Sequence, residues 1–250
     1  MKNLTQITEN YMQAIRDLIN SKVRKYQEPT KKYNTFSEYI KHKLFLSSDE
    51  DWGFLCACMD LVGDTNLAIE NFIRFEIEGP TRYNDMGEKY LRLYGFLNAT
   101  YMQQNAVLTL CEIFKILKTE KDKIFNLKIR EIRNKLASHS NSYRKDKNSK
   151  KDAIFLTRMS LSRKNVSYGF GNRSDFEELN LATLLDAHTK VLNDILDIIL
   201  EKSITLIYKT NKNLKKKYSE RLEDLRQEKK GNLVIKISKN KKILVKRYGN

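Results

Sequence analysis

Leu181-Ala182-Thr183-Leu184-Leu185-Asp186-Ala187-His188-Thr189-Lys190-Val191-Leu192-Asn193-Asp194-Ile195-Leu196-Asp197-Ile198-Ile199-Leu200 is the stretch whose periodicity decides the fold class. Leu181, Leu185, His188, Leu192, Ile195 and Ile199 recur in alternating steps of four and three, which places them along one side of a helix. A seam of that kind has to be covered by another helix, from the same chain or from a partner. The chain around it has only two prolines and nine glycines in 250 residues, so mostly helix is expected. At that length it can bury a real core.

Working outward, the same period appears repeatedly. Residues 5–26 place Ile7, Tyr11, Ile15 and Leu18 on one face, and Pro29 closes that region. A short helix is expected over 33–45. Ser48-Asp49-Glu50-Asp51 reads as a capping signal, Ser48 as the cap with an acid three residues on, ahead of a helix over 52–78 that Gly79-Pro80 stops. Residues 84–118 are periodic as one helix or two, with Tyr90, Tyr94, Leu97 and Tyr101 along one side. Residues 122–138 form a further helix with Phe125, Ile129, Ile132 and Leu136 as its stripe. The texture then changes. Residues 140–151 read as a basic loop. Residues 154–161 and 166–170 alternate with period two around Ser162-Arg163-Lys164-Asn165, a hairpin pattern. The seam helix starts near Phe176, and an exposed charged helix follows over 209–230. A last hairpin has arms at 233–237 and 243–248 around Lys239-Asn240-Lys241-Lys242. The expected architecture is mainly α: a helical domain over 1–230 with a small β-hairpin insertion at about 153–171, then a basic C-terminal β-hairpin over 231–250.

The formal charge is +16 and uneven: residues 201–250 hold 16 lysines and arginines against 5 carboxylates, so +11 sits in the last fifth. A basic excess of this kind suits a polyanion, nucleic acid or an anionic membrane surface; the plain alternative is a solvated tail. Cys56, Cys58 and Cys111 are too few and too scattered for a disulfide framework, and Cys56 and Cys58 point to different sides of a helix. Reduced thiols in a cytoplasmic protein are expected. No apolar signal segment opens the chain, and the run near 191–200 is broken by Asp194 and Asp197, so no membrane span is expected.

Three histidines can be weighed individually. His42 lies between Lys41 and Lys43 and reads as surface. His188 stands on the apolar seam and reads as a buried structural histidine. His139 follows Arg133-Asn134-Lys135-Leu136-Ala137-Ser138, with Ile129, Ile132 and Leu136 anchoring the helix and leaving Arg133 and Asn134 off its apolar centre. An ideal helix would hold Arg133 and His139 about 120° apart around its axis. The two converge in one chain only if the helix distorts or ends near Ser138, for which Ser138-His139-Ser140-Asn141-Ser142 is suited. Otherwise a second copy supplies the other half of the site. The bland alternative is that both cations simply face a helix C-terminus. No glycine-rich phosphate loop, paired zinc ligands or Gly-x-Ser-x-Gly elbow competes; the acids Glu177-Glu178 and Asp194/Asp197 read as exposed solubilising charge.

Arg133-Asn134-x4-His139 resembles the motif of the HEPN superfamily: Arg, a polar residue often Asn, and His after four to six residues. The resemblance is close over this segment and loose over the helical texture of 51–138. One branch, the toxins paired with a nucleotidyltransferase antitoxin, has Tyr two residues after the His; here Asn141 stands there and the nearest Tyr is Tyr143. Regulation through that tyrosine is therefore not carried over.

The resemblance implies a HEPN-like helical bundle and a metal-independent endoribonuclease without cofactor, of the abortive-infection or toxin type, in bacterial or anti-phage defence. It implies Arg133, Asn134 and His139 as the catalytic set. It also implies a homodimer in which two motifs face one cleft, and it leaves room for an antitoxin or regulatory partner. RNA contacts are expected from Lys135 and Arg144 beside the motif and from Lys236, Lys239, Lys241 and Lys242 in the basic hairpin. The alternative from another class is a non-catalytic HEPN-like RNA-binding or protein-interaction module.

Overall fold

The computed structural model describes residues 2–24, 33, 35–81, 84–138, 142–144, 151–171, 175–238 and 241–245. Over these it is mainly helical: α1 (Lys2–Val23), α2 (Phe36–Leu44), α3 (Asp51–Phe75), α4 (Met86–Ile113), α5 (Lys118–Phe125), α6 (Lys128–Arg133), α7 (Leu181–Ile207) and α8 (Lys212–Lys229). A sheet of β1 (Ile154–Leu156), β2 (Asn165–Phe170) and β3 (Phe176–Asn180) interrupts the helices, and β4 (Leu233–Ser238) with β5 (Lys241–Val245) forms a C-terminal hairpin.

The seam of α7 is covered inside the chain. α1, α4, α5 and α8 all pack on α7, and Leu181, Leu185, His188, Leu192, Ile195 and Ile199 are buried. It is therefore not an open face awaiting a partner, and the dimer expectation loses that support. Of the polar residues that α7 buries, Thr189 and Ser203 bond back to carbonyls of their own helix, and Asn193 and Asp197 are answered from neighbouring helices. Asn193 accepts from the Thr8 hydroxyl at 2.8 Å and Asp197 from the Tyr11 hydroxyl at 2.8 Å. The Arg226 guanidinium adds a bidentate grip on Asp197, with Nη2 to Oδ1 at 2.7 Å and Nε to Oδ2 at 3.0 Å. Asp197 is thus a buried ion-pair partner, which corrects its reading as exposed solubilising charge. Burial of the Tyr11 phenol, reinforced by the Asp197 carboxylate, raises its pKa.

Helix starts follow local chemistry. Asp85 caps α4 by accepting from the Gly87 and Glu88 amides, and Asn180 caps α7 by accepting from the Thr183 amide. Before α3 the signal works in reverse: Asp51, not Ser48, supplies the acceptor, taking the Ser47 and Ser48 amides at 2.8 and 2.9 Å. The expected helix over 122–138 divides into α5 and α6, leaving Phe125 exposed at the end of α5 instead of on a core stripe.

The insertion has three strands, not two. β2 pairs antiparallel with β1 (Leu156↔Tyr168) and with β3 (Tyr168↔Glu177), so residues 176–180, expected as helix, are extended. The Asn180 cap sets the helix start after them. Val166, Tyr168 and Phe170 alternate into the interior from β2, as period two requires. No helix among the described residues is long and apolar enough to cross a membrane.

Candidate active site

The motif lies at the end of α6, where the helix widens into a π turn over Asn134–Ser138. Such turns occur mostly as single-turn bulges inside helices and frequently at functional sites. The distortion that convergence of Arg133 with residue 139 calls for is thus present in the backbone up to Ser138. His139 itself lies outside the described residues.

Arg133 is half-buried between α6 and α4. Asn98 uses its amide N–H on the Tyr94 carbonyl at 2.9 Å, which aims its Oδ1 at Arg133 Nε, 3.2 Å away. Arg133 Nη1 donates to Asn134 Oδ1 at 3.2 Å, so the two motif residues hold one another. The guanidinium carbon sits 4.0 Å from the centre of the Tyr101 ring, an arrangement worth about 0.5–2 kcal/mol. One turn earlier, Arg130 lies 4.5 Å from the same ring centre, and donates from Nη1 to Gln104 Oε1 at 3.1 Å and to Asn105 Oδ1 at 3.0 Å. Burial lowers the pKa of Arg130, and the charge of Arg133 adds to the effect.

Behind Arg130 a relay of neutral groups runs into the core. Gln104 Nε2 donates to His188 Nδ1 at 3.1 Å, and His188 Nε2 donates to Gln103 Oε1 at 2.9 Å. Gln103 Nε2 ends the relay on the Val62 carbonyl at 3.3 Å. His188 is fully buried, and burial lowers its pKa to about 3, so it stays neutral and structural.

The expected RNA contacts divide. Lys135 is corrected: it is only 5% exposed, and its ammonium points inward to Glu131 Oε1 at 2.8 Å and the Tyr168 hydroxyl at 3.1 Å. Glu177 lies 3.9 Å away, and the Tyr143, Tyr168 and Phe170 rings surround it. That ammonium is engaged and shielded from a phosphate. Glu177 is likewise a partner of Lys135 and Tyr168 and not merely solubilising charge. Arg144 is exposed beside Tyr143, whose backbone pairs with Asp152. Lys236, Lys241 and Lys242 stand on β4 and β5, with Lys236 opposite Lys242, and β4 adjoins α8. Lys239 lies outside the described residues.

Sequence reading missed Arg130, Asn98, Tyr101 and Asn105 as one constellation. Their signal was present: the arginines are three apart, and Asn98, Tyr101 and Asn105 step by three and four along α4. A groove of about 1100 Å³ between α1, α3 and the junction of α8 with β4 contains none of the motif residues. No cluster of three or more His, Cys, Asp or Glu able to hold a metal occurs among the described residues. Comparison of the chain with family models, curated proteins and solved structures found no match.

Proposed function

We propose that the chain is a metal-independent endoribonuclease that uses Arg133, Asn134 and His139. The observation that carries this reading is the state of Arg133: a guanidinium beside a π turn, held by two neutral amides and a tyrosine ring, with no carboxylate in ion-pair reach among the described residues. A half-buried cation held this way is set up for an anionic ligand.

The chemistry runs as an internal displacement. The ribose 2′-oxygen forms a bond to its adjacent phosphorus as a base takes the 2′-OH proton. The P–O5′ bond breaks as an acid protonates the departing 5′-oxygen. The products are a 2′,3′-cyclic phosphate and a 5′-hydroxyl. His139 serves as one proton-transfer group, a role worth about 10²–10⁴ in rate. Arg133 meets the charge that gathers on the phosphoryl oxygens, and Asn134 orients Arg133 through the hydrogen bond between them. A second His139, from a partner copy across a shared cleft, supplies the other proton transfer. By the resemblance, the role is that of a bacterial toxin or anti-phage effector.

The test is incubation of the purified chain with total RNA and a chelator. Wild type is expected to cut. Arg133→Ala and His139→Ala are expected to abolish cutting while still folding and binding RNA, lowering turnover more than affinity. A wild-type rate in either folded variant would remove the motif from the reaction and leave a binding module.

A further inference from the structure

We propose that Arg130 and Arg133 together form a two-guanidinium phosphate site, in which Arg130, which stands outside the Arg-polar-His motif, binds the phosphodiester backbone alongside Arg133. The proposal rests on the RNA-cleaving reading and adds a binding residue to it.

Arg130 and Arg133 are one helical turn apart, so they project from the same side of α6, and both guanidinium carbons lie within 4.5 Å of the Tyr101 ring centre. Two like charges this close repel. Three arginines elsewhere are answered by carboxylates, Arg16 by Asp60, Arg221 by Asp17, and Arg226 by Asp197 and Glu201, while Arg92 is held by neutral acceptors, the Asn71 side chain and the Asn71 and Glu76 carbonyls. Here every hydrogen-bond acceptor is a neutral amide: Asn98 and Asn134 for Arg133, Gln104 and Asn105 for Arg130. No carboxylate among the described residues comes within ion-pair distance of either. The local charge of two cations is left for a ligand to neutralise.

The free donors are of the right kind. Each guanidinium carries five N–H groups. Arg133 uses Nε–H and one Nη1–H; Arg130 uses both Nη1–H groups and one on Nη2. The remaining N–H groups have no partner among the described residues. Forked donors match the paired non-bridging oxygens of a phosphodiester. The relay through Gln104, fully buried His188 and Gln103 to the Val62 carbonyl anchors one of the two acceptors of Arg130, Gln104, in the core. The Arg130 guanidinium is therefore held in place before a ligand arrives, which reduces the ordering cost of binding.

The probe is a fluorescein-labelled 2′-O-methyl RNA oligonucleotide, which has no free 2′-OH to attack its phosphate. Its binding to the full chain is followed by anisotropy over a range of salt. Arg130→Gln is expected to weaken binding about tenfold and to lower the log–log salt slope by about 0.7. Arg130→Lys is expected to keep the slope and still lose affinity, because the point charge remains and the fork is gone. Inorganic phosphate is expected to displace the oligonucleotide from wild type and to do so less well from Arg130→Gln. Wild-type affinity and slope in folded Arg130→Gln would overturn the proposal. If that variant does not fold, undiminished affinity in Arg130→Lys, or failure of phosphate to displace the probe from wild type, overturns it equally. The two readings fail separately: a wild-type chain that leaves unmodified RNA intact sinks the ribonuclease, whereas an unaffected Arg130→Gln chain that still cuts RNA sinks only the Arg130 site.

Discussion

Lys135 donates to the Tyr168 hydroxyl at 3.1 Å, and this bond ties the π turn that carries the motif to the central strand of the inserted sheet. The Tyr168 hydroxyl in turn donates a hydrogen bond to Glu177 across the register of β2 and β3. Glu131, one turn before Lys135, closes the cluster. Burial opposes ionisation of Glu131, but hydrogen bonds from Lys135 and Lys128 outweigh it and hold the carboxyl below its ordinary range. The sheet is thus a wall against which the turn after Arg133 is set.

Lys135→Met keeps the apolar stem and removes the ammonium. The glutamates it leaves are partly exposed and can hydrate, so a loss of about 1–3 kcal/mol in unfolding free energy is expected. The salt slope of RNA binding should stay at the wild-type value, because the ammonium faces the protein. Denaturant melts and anisotropy titrations check both; a slope reduced by one contact would return Lys135 to the phosphate-binding set.

Asp197→Asn removes the charge at a buried junction of α1, α7 and α8. The Tyr11 hydroxyl and the Arg226 fork both lose a charged acceptor, and Arg226 keeps a second partner in Glu201. A loss of about 2–4 kcal/mol is expected, read as a lowered urea midpoint with an unchanged m-value. Cleavage should persist wherever the fold does, since Asp197 has no contact with the motif.

His188 determines an acid sensitivity. Its pKa is about 3 in the fold, against about 6.5 when exposed. Between those values the unfolded chain binds the extra proton and the folded chain does not. Stability is therefore fully present above pH about 6.5 and falls as pH drops toward 3, by at most about 1.4 kcal/mol per pH unit from this group. His188→Gln should flatten the melting-temperature profile between pH 6.5 and 4; an equally steep profile in the variant would assign the sensitivity to other groups.

The C-terminal hairpin tests the charge reading. Truncation after Lys230 removes Lys236, Lys239, Lys241, Lys242, Lys246 and Arg247. If they touch phosphates, the salt slope for single-stranded RNA should drop by about 0.7 per contact, with the melting temperature of the helical body little changed. An unchanged slope would make the hairpin solvated charge only.

A shared cleft requires two copies. If the shared-site proposal holds, light scattering at micromolar concentration should give twice the chain mass, through a face other than the α7 seam, which is used up inside the chain. A monomer at every accessible concentration would leave each chain with one motif histidine and remove the shared-site mechanism.

The sequence alone determined what depends on local spacing. The period of α7 and the alternation of β2 are properties of consecutive residues, and they made the mainly helical fold legible, whereas the caps at Asp85 and Asn180 were read only from the structure. His188 was legible as structural because it stands on an apolar seam. What required the tertiary structure depends on partners distant along the chain. Residues 176–180 carry a helix-like Phe-Glu-Glu-Leu, yet β2 claims them as a strand because pairing across the sheet outweighs weak local preference. In the sequence Lys135 looks like a surface lysine beside the Arg-polar-His motif, and Asp197 like solubilising charge. Tyr168 and Glu177 fold over the first, and Arg226 and Tyr11 over the second, turning both inward. Arg130 differs from Arg133 in the opposite way: its spacing of three from Arg133 puts both on one helix face, but only the neutral amides of α4, 25 to 26 residues back, show that its charge is left unanswered.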